Sequence, residues 1–422
     1  MDSYVINIPH LKIAAVLITL HWSAGLAAQA DWLQLAGTTD SELDRKLMQA
    51  SAENEAQQSL LVEVQQIVEA RSLAQVLDYY QPQSNAVEFT TTRTHMGADV
   101  AVIYPIVLPD RLVHLVWMDT GMTTFEVSVT ADQLARAAIN LRDEMQIVGS
   151  SFGGMERLSS QLFNWLISPY RDSLRDADIS NLVFLSTPEL RVIPLATLYD
   201  GRRYLMEDFS VTMSIAPSQF TQEVVALDGK VLLAGISEAT DNLGARAGVE
   251  SELASISELV GEDFFLNQRF TADFVEDQLE SEKLDVLHLA TQVEMEDGLE
   301  TSLLQTYDDS IPLSVLASWL SNRKSPVEFL VLSNSRTQRR SQQSALGLMG
   351  LGYIAGSRYT LAGLWRTNHT ATAALMTIFY TELVAGEYPE VALREAQLEM
   401  LRSPRFSHPS YWGGFQLFTH GN

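Results

Sequence analysis

Short apolar runs that alternate with helical segments constrain the fold of this chain more than any other feature of its sequence. Each run is apolar at successive positions, as in a strand that is buried on both faces of a parallel sheet. The runs cover residues 182–185, 231–234, 286–290, 329–332 and 359–364. We therefore predict an α/β fold with a central, mostly parallel sheet flanked by helices. In such sheets, function collects in the loops that follow the carboxyl ends of the strands.

The region before these runs predicts a small upstream α/β part. Residues 100–107 and 112–117 are rich in β-forming side chains, and residues 125–129 alternate as a third antiparallel strand would. Two helical stretches follow, at about 131–148 and about 154–168.

The N-terminal residues are expected to be helical. Apolar positions recur near the 3.6-residue period of a helix within residues 40–80. We therefore divide the chain into a helical segment over residues 31–95 and one large domain over residues 96–422. Within that domain, residues 96–175 form the upstream part and residues 180–422 form the core.

Residues 1–30 differ from the rest of the chain. Residues 13–20 are apolar except for Thr19, and a small-residue ending follows at residues 28–30. This pattern predicts a signal peptide, although Lys12 is the one Lys or Arg before it; a mispredicted start or a buried helix is the alternative. A signal implies export to a periplasmic or extracellular location, and otherwise the protein is cytoplasmic. No later stretch approaches the ~20 apolar residues that span a bilayer, so we expect no integral membrane segment.

Composition narrows the classes of partner. The chain carries 28 basic and 53 acidic residues, which give a formal net charge of −25. Such a field repels phosphate backbones and argues against nucleic acid as the main partner. The acidity either keeps the protein soluble or favours a basic peptide or protein partner. The chain has no cysteine, which excludes disulfides, thiolate metal sites and a cysteine nucleophile.

Five sequence blocks occur in a fixed order in the second half of the chain. They are residues 181–218 with IPLA at 193–196, residues 288–292 (HLATQ), residues 330–337 (LVLSNSRT), residues 363–365 followed by Met376, Phe379 and Tyr380, and residues 392–397 followed by His408, Pro409 and Trp412. In this order they resemble the CHAT family, relatives of caspases and separases that are often found beside tetratricopeptide repeats. The resemblance implies a caspase-like fold, in which residues 98–175 are similar to the stretch usually found upstream.

The resemblance also implies where the catalytic residues of an active relative would lie. In active relatives, a histidine after one strand takes a proton from a cysteine after the next, and the thiolate attacks a peptide carbonyl. Here the histidine position is Gln292 and the cysteine position is Ser335. An amide cannot be a general base at neutral pH, and a serine hydroxyl is a weak nucleophile without one. Val293 also replaces a family glycine in the region that helps to hold the oxyanion.

We therefore predict a CHAT pseudo-peptidase that lacks cysteine-protease activity and acts as a protein- or peptide-binding or regulatory module. Its partner would be a protein or peptide, with a tetratricopeptide-repeat protein or an active CHAT relative as candidates. One alternative is a serine-dependent hydrolase that uses Ser335 with another base, for which His288 and His369 are the candidates. A second alternative is a purely structural interaction protein, whose groove would be filled by residues 293–310.

Three further clusters were weighed for binding chemistry. Arg336, Arg339 and Arg340 form the densest basic cluster and are predicted to bind peptide as a clamp for an acidic group; a solvated loop that pairs with the protein's own carboxylates is the alternative. The acidic residues within 294–300 match no EF-hand spacing, so we expect a solvated acidic loop rather than a cation site. The glycines within 347–356 lack the lysine of a phosphate-binding loop and fit close helix packing better. We expect neither a metal nor a cofactor.

Overall fold

A computed structural model gives the arrangement of most of the chain. It describes residues 34–51, 57–80, 97–147, 152–227, 229–239, 245–280, 284–296, 298–337 and 342–420. The predicted signal segment, residues 1–30, lies outside the described residues, so the signal peptide and export stay predictions. Among the described residues, no helix is long and apolar enough to cross a bilayer.

The described strands and helices are numbered here in chain order. The strands are β1 (Val100–Val107), β2 (Leu112–Met118), β3 (Gly121–Val127), β4 (Asn181–Leu185), β5 (Ser210–Ser214), β6 (Val231–Gly235), β7 (Phe264–Leu266), β8 (Val286–Ala290), β9 (Gln292–Met295), β10 (Leu303–Gln305), β11 (Ser310–Pro312), β12 (Phe329–Leu332), β13 (Asn334–Thr337), β14 (Tyr359–Gly363) and β15 (Phe415–Thr419). The helices are α1 (Asp40–Ser51), α2 (Gln57–Tyr80), α3 (Ala131–Met145), α4 (Phe152–Leu166), α5 (Arg171–Asp176), α6 (Leu205–Asp208), α7 (Ala247–Val260), α8 (Ala272–Glu280), α9 (Leu313–Ser321), α10 (Gln342–Ile354), α11 (His369–Val384) and α12 (Pro389–Arg402).

A large, mostly parallel sheet organises the described part of the chain. Its eleven strands lie in the order β3-β2-β1-β4-β5-β15-β14-β12-β8-β6-β7. Neighbouring strands run parallel except in the pairs β1/β2, β2/β3 and β14/β15. The five predicted apolar runs are the strands β4, β6, β8, β12 and β14. The predicted fold class is confirmed.

The upstream strands extend this sheet, because β1 pairs in parallel with β4. The third upstream strand begins at Gly121, earlier than the predicted residue 125. Gly121 has a φ of 117°, a left-handed conformation that suits glycine, and it turns the chain directly back along β2. The structure therefore has no break in the sheet between the upstream part and the core.

Two strands of the large sheet and a second, smaller sheet were not predicted from the hydrophobic pattern. Strands β5 and β15 lie inside the large sheet, yet they contain buried polar residues such as Ser210, Thr212 and Gln416. The acidic segment after Gln292, expected to be a loop, forms β9, β10 and β11. These strands join β13 in a second sheet of four strands, in the order β11-β10-β9-β13.

Helices cover both faces of the large sheet. Apolar residues of α7, α11 and α12 pack on one face, and those of α3, α4, α8, α9 and α10 pack on the other. The N-terminal helices α1 and α2 cover β1 and β2. A Cβ on Gly350 would lie 2.6 Å from the Tyr80 ring, so α10 packs closely against α2 at this glycine. Close helix packing is therefore the role of Gly350.

Candidate functional site

Gln292 and Ser335, the two positions that are predicted to be degenerate, lie on neighbouring strands, each just beyond a strand of the large sheet. Gln292 begins β9 directly after β8, and Ser335 lies in β13 directly after β12. β9 and β13 pair in parallel, with Asn334 opposite Gln292 and Ser335 opposite Val293. Because side chains alternate along a strand, Ser335 faces the opposite side of the small sheet from Gln292. The structure thus brings the two positions to one sheet edge but turns their side chains apart.

The Ser335 hydroxyl is enclosed by backbone groups. The residue is 0% exposed. Its Oγ accepts a hydrogen bond from the Gly363 N–H at 2.7 Å, and it lies 2.9 Å from the Leu332 carbonyl oxygen and 3.1 Å from the Gly363 carbonyl oxygen. Among the described residues, none of its hydrogen-bond partners is a histidine or a carboxylate. The hydroxyl therefore ties β13 to the end of β12 and to β14.

Both polar atoms of the Gln292 amide form hydrogen bonds. Its Oε1 accepts hydrogen bonds from Arg246 and, at 2.6 Å, from Arg366, while its Nε2 donates to Glu294. Guanidinium groups can only donate, so these contacts identify the amide oxygen and its orientation. Gln292 is 9% exposed and Arg246 is 5% exposed. An amide in these contacts orients its neighbours but takes no proton.

His369 lies beside this cluster but not beside Ser335. Its Nδ1 is 3.2 Å from Asn334 Oδ1, which can only accept, so Nδ1 carries the hydrogen of this bond. Burial lowers the pKa of His369 below its ordinary value, and the positive charge of Arg246 lowers it further. His369 opens α11, whose first turn is capped by the Asn368 side chain. Among the described residues, no hydrogen bond joins His369 to Ser335, whose hydroxyl bonds to Leu332 and Gly363 instead, so the serine-hydrolase alternative has no base in place.

His288, the other candidate base, belongs to the core. It is 0% exposed and lies between α7 and α11. Its Nε2 is 3.0 Å from Glu252 Oε1, and its Nδ1 is 3.0 Å from the Tyr380 hydroxyl oxygen. Both ring nitrogens are therefore engaged, and His288 is a core histidine.

The predicted arginine clamp is only partly within the described residues. Arg336 lies on β13 opposite Glu294, while Arg339 and Arg340 lie outside the described residues. The clamp stays a prediction. The arginines that the structure brings to the centre are Arg246 and Arg366, which the sequence analysis missed. Arg366 could have been noticed because it directly follows Trp365, where a predicted strand ends.

The acidic residues after Gln292 do not form a recognisable cation site. Glu294 accepts from the Gln292 amide, and the Glu296 backbone N–H donates to Ser302 Oγ at 2.9 Å. No group of three metal-ligating side chains occurs among the described residues. The Glu294 carboxylate instead bonds to the Gln292 amide, which both arginines also contact.

We expect Ser335→Ala to lower the free energy of unfolding by about 2 kcal/mol. The substitution removes the acceptor of the buried Gly363 N–H, and an unsatisfied buried donor costs about 1–3 kcal/mol. Denaturant unfolding of the two proteins measures the difference, with Ser41→Ala on exposed α1 as the control. A loss below about 0.5 kcal/mol would mean that the hydroxyl is not a structural link.

Comparison with known proteins identifies the family. The family model of the CHAT domain matches residues 156–420, the larger part of the chain. The chain belongs to the CHAT domain family. The match includes Gln292, Ser335 and every strand from β4 onward. That these two residues stand where an active relative would carry its catalytic residues is implied by the resemblance and stays a prediction.

The relatives of this CHAT chain are distant or much longer. Tetratricopeptide repeat protein 28 of Homo sapiens is 35% identical over 95 residues, 22% of this chain and 4% of the relative. The same protein of Mus musculus is 32% identical over 124 residues, 28% of this chain and 5% of the relative. The chain thus matches about a twentieth of the length of these relatives.

Among solved structures, the separase–securin complex of Saccharomyces cerevisiae has a similar chain. The TM-score is 0.58 at 8% identity, and the alignment covers 94% of this chain and 37% of the other. At this identity the likeness concerns the fold alone. It agrees with the caspase-like arrangement of the large sheet.

Proposed function

We propose that this chain is a catalytically inactive CHAT domain that binds a protein or peptide at the carboxyl edge of its sheet. The observation that carries the proposal is the side chain at the position where the resemblance implies a catalytic base. There, an amide that two arginines hold stands where the resemblance implies a histidine, and an amide takes no proton at neutral pH. The absence of cysteine from the chain supports the same conclusion, because the family nucleophile is a thiolate.

The serine-hydrolase alternative receives less support. Its nucleophile would be a hydroxyl that is 0% exposed and bonded to the backbone of β12 and β14. A substrate carbonyl must come within about 3.5 Å of the attacking atom, and a fully buried atom offers no such approach. His369, one of the two candidate bases, bonds to Asn334 instead.

A binding role is favoured over a purely structural one by the path of residues 293–310. Val293, Met295 and Leu304 of this segment pack into the hydrophobic core, away from the Gln292 side chain. These apolar side chains therefore lie in the core, while Glu294 of the same segment bonds to the Gln292 amide. Arg366 and Asn368 are exposed there, and His369 is partly exposed, so polar groups remain within reach of a partner.

The partner classes follow from the family and the charge. The matched relatives bear the name of tetratricopeptide repeats, which supports a tetratricopeptide-repeat protein as a candidate partner. An active CHAT relative is the other candidate. The net charge of −25 favours partners with a basic surface around the groove.

The proposal is tested by incubating the purified chain with a diverse peptide library and scoring both cleavage and retention by mass spectrometry. We expect no cleavage and reproducible retention of a subset of peptides. Ser335→Ala and Ser41→Ala are run beside the parent protein as active-position and surface controls. Cleavage that is lost in Ser335→Ala but kept in Ser41→Ala would overturn the proposal in favour of a serine hydrolase. Absence of both cleavage and retention would favour a structural protein.

A further inference from the structure

Strand β3 forms one outer edge of the large sheet, and within the described part of the chain it pairs only with β2. The pairing is regular from Gly121 to Val127, without the bulge that often protects such an edge. Strand β3 also contains no proline or lysine, which are other common means of protection. An edge of this kind offers its backbone N–H and C=O groups to another strand.

The contacts of Gln58 show which backbone groups of β3 face outward. The Gln58 amide, at the start of α2, donates to the Met122 carbonyl at 2.9 Å and accepts from the Met122 N–H at 3.1 Å. Met122 therefore turns both backbone groups away from β2. Because this direction alternates along an antiparallel strand, Thr124 and Glu126 also turn theirs outward. Among the described residues, no hydrogen bond reaches the outward groups of Thr124 or Glu126, so two N–H and two C=O groups are open to an incoming strand.

The charges at one end of this edge favour a basic partner. Glu126 is the one charged residue of β3, and its side chain is 54% exposed. Its carboxylate lies 3.6 Å from Arg111, which also contacts the carboxylates of Asp44 and Asp110. Three carboxylates around one guanidinium group leave this end of the edge negative, as is the chain as a whole. A basic side chain opposite Glu126 is therefore favoured, and a second copy of the same acidic edge is disfavoured.

The opposite face of β3 is apolar at its centre. Phe125 lies next to Glu126 in sequence, so its side chain faces the other side of the sheet. The Phe125 side chain is partly buried, and its ring centroid is 5.9 Å from that of Tyr170. Pairs of aromatic or β-branched side chains across neighbouring strands stabilise a sheet, so an apolar partner residue fits beside Phe125.

We propose that β3 is a docking edge for an extended, basic segment of a protein partner, which adds an antiparallel strand to the large sheet. In this pairing, one partner residue exchanges two hydrogen bonds with Glu126, and the residue two positions later exchanges two with Thr124. The partner therefore presents, in chain order, a Lys or Arg opposite Glu126, an apolar residue opposite Phe125 and a β-branched residue opposite Thr124. This site does not depend on the proposed groove, because β3 and β12 are seven strand spacings apart, or roughly 34 Å along the sheet.

The probe is an acetylated and amidated peptide, Thr-Val-Thr-Lys-Phe-Thr-Val-Thr, which has the predicted order of side chains. A second peptide has Glu in place of Lys, and a third carries N-methyl groups on the amides of Lys and of the Thr after Phe. In low salt, we expect the basic peptide to bind the full chain about fivefold to tenfold more tightly than the acidic one, and salt should reduce the difference. The N-methylated peptide should not bind, because it lacks the donors that pair with β3.

Two measurements follow the binding. Fluorescence anisotropy of labelled peptides gives the affinities. Hydrogen exchange then locates the site: the basic peptide should slow exchange at the amides of Thr124 and Glu126. It should leave Thr123 and Phe125 unchanged, because their N–H groups already bond to β2.

Variants of the edge separate backbone pairing from non-specific attraction. Thr124→Pro removes one outward N–H and should abolish binding, and the fold should survive because proline is tolerated on the outer side of an edge strand. Thr124→Val is the matched control, which keeps the N–H and should bind as the parent does. Glu126→Gln should remove the preference for the basic peptide. Gln58→Ala opens both backbone groups of Met122 and should tighten binding about threefold to tenfold.

Several results would overturn this inference. One is that no peptide binds either the parent or Gln58→Ala, and another is that Thr124→Pro, shown by thermal unfolding to be folded, binds as Thr124→Val does. A third is that the chain alone forms a dimer in sedimentation that Thr124→Pro abolishes, which would assign the edge to a second copy. Peptides that the groove retains should be unaffected by Thr124→Pro, so the two sites are tested separately.

Discussion

Replacing His288 with alanine is expected to lower the free energy of unfolding by about 4 kcal/mol. The reason is Glu252, which is 1% exposed and whose Oε1 bonds to His288 Nε2 at 3.0 Å. Its second oxygen has no hydrogen-bond partner among the described residues. The substitution therefore leaves a buried carboxylate without a partner, and breaking a buried pair in this way costs about 3–5 kcal/mol. Chemical denaturation at a single pH measures the loss.

A double-mutant cycle separates the pair from simple cavity formation. His288→Ala leaves the Glu252 carboxylate without a partner, and Glu252→Ala removes that carboxylate. The double variant should therefore lose clearly less stability than the sum of the two single losses. Tyr380→Phe removes only the hydroxyl on the other ring nitrogen and should cost about 1 kcal/mol. Additive losses would show that Glu252 and His288 do not interact. A loss below about 1 kcal/mol in His288→Ala would show that the buried pair does not stabilise the fold.

The strands that lead to the candidate site could be predicted because the pattern of apolar residues within each segment determines that it forms a buried strand. The runs before Gln292 and Ser335 are apolar on both faces, and a parallel sheet buries such runs. By contrast, β5 contains Ser210 and Thr212, whose hydroxyls are satisfied by groups of β4. Hydrophobic pattern does not reveal a buried polar strand, because its partners lie elsewhere in the chain.

The composition of the candidate site was harder to predict than its position. Arg246 and Arg366 are 46 and 74 residues from Gln292 in sequence, and only the fold places both against its amide. The orientation of Ser335 was also not predictable, because it depends on the pairing of β13 with β9, and β9 had been expected to be a loop. Sequence reasoning placed Gln292 and Ser335 just beyond neighbouring strands of the large sheet, and the tertiary contacts determined what surrounds them.

The second large effect is expected from Glu69, a buried carboxyl group on the N-terminal helix α2. It accepts hydrogen bonds from the Tyr104 hydroxyl at 2.9 Å, from the Ser218 N–H at 2.8 Å and from the Ser218 hydroxyl at 2.6 Å. Burial raises the pKa of Glu69 from 4.5 to about 7, although these hydrogen bonds act to lower it. This group attaches α2 to β1 and to the segment after β5.

The direction of the pH effect follows from proton binding. Between pH 4.5 and about 7 the folded protein keeps the Glu69 proton while the unfolded chain releases it. Stability that depends on Glu69 is therefore fully present below pH 4.5 and is lost as the pH rises through about 7. The interval between these two pKa values corresponds to roughly 3 kcal/mol.

The comparison with Glu69→Gln isolates this contribution. Glutamine keeps an acceptor for Tyr104 and Ser218 but does not titrate. From pH 4.5 to pH 8 the parent should therefore lose roughly 3 kcal/mol of unfolding free energy relative to Glu69→Gln. Glu390, whose pKa burial also raises to about 7, contributes equally to both proteins and cancels. A difference that does not change with pH would show that Glu69 titrates normally in the folded protein.

The Tyr79 hydroxyl at the end of α2 donates to the Glu296 carbonyl at 3.2 Å. A weaker attachment of α2 at high pH should therefore also loosen the segment that follows β9 and Gln292.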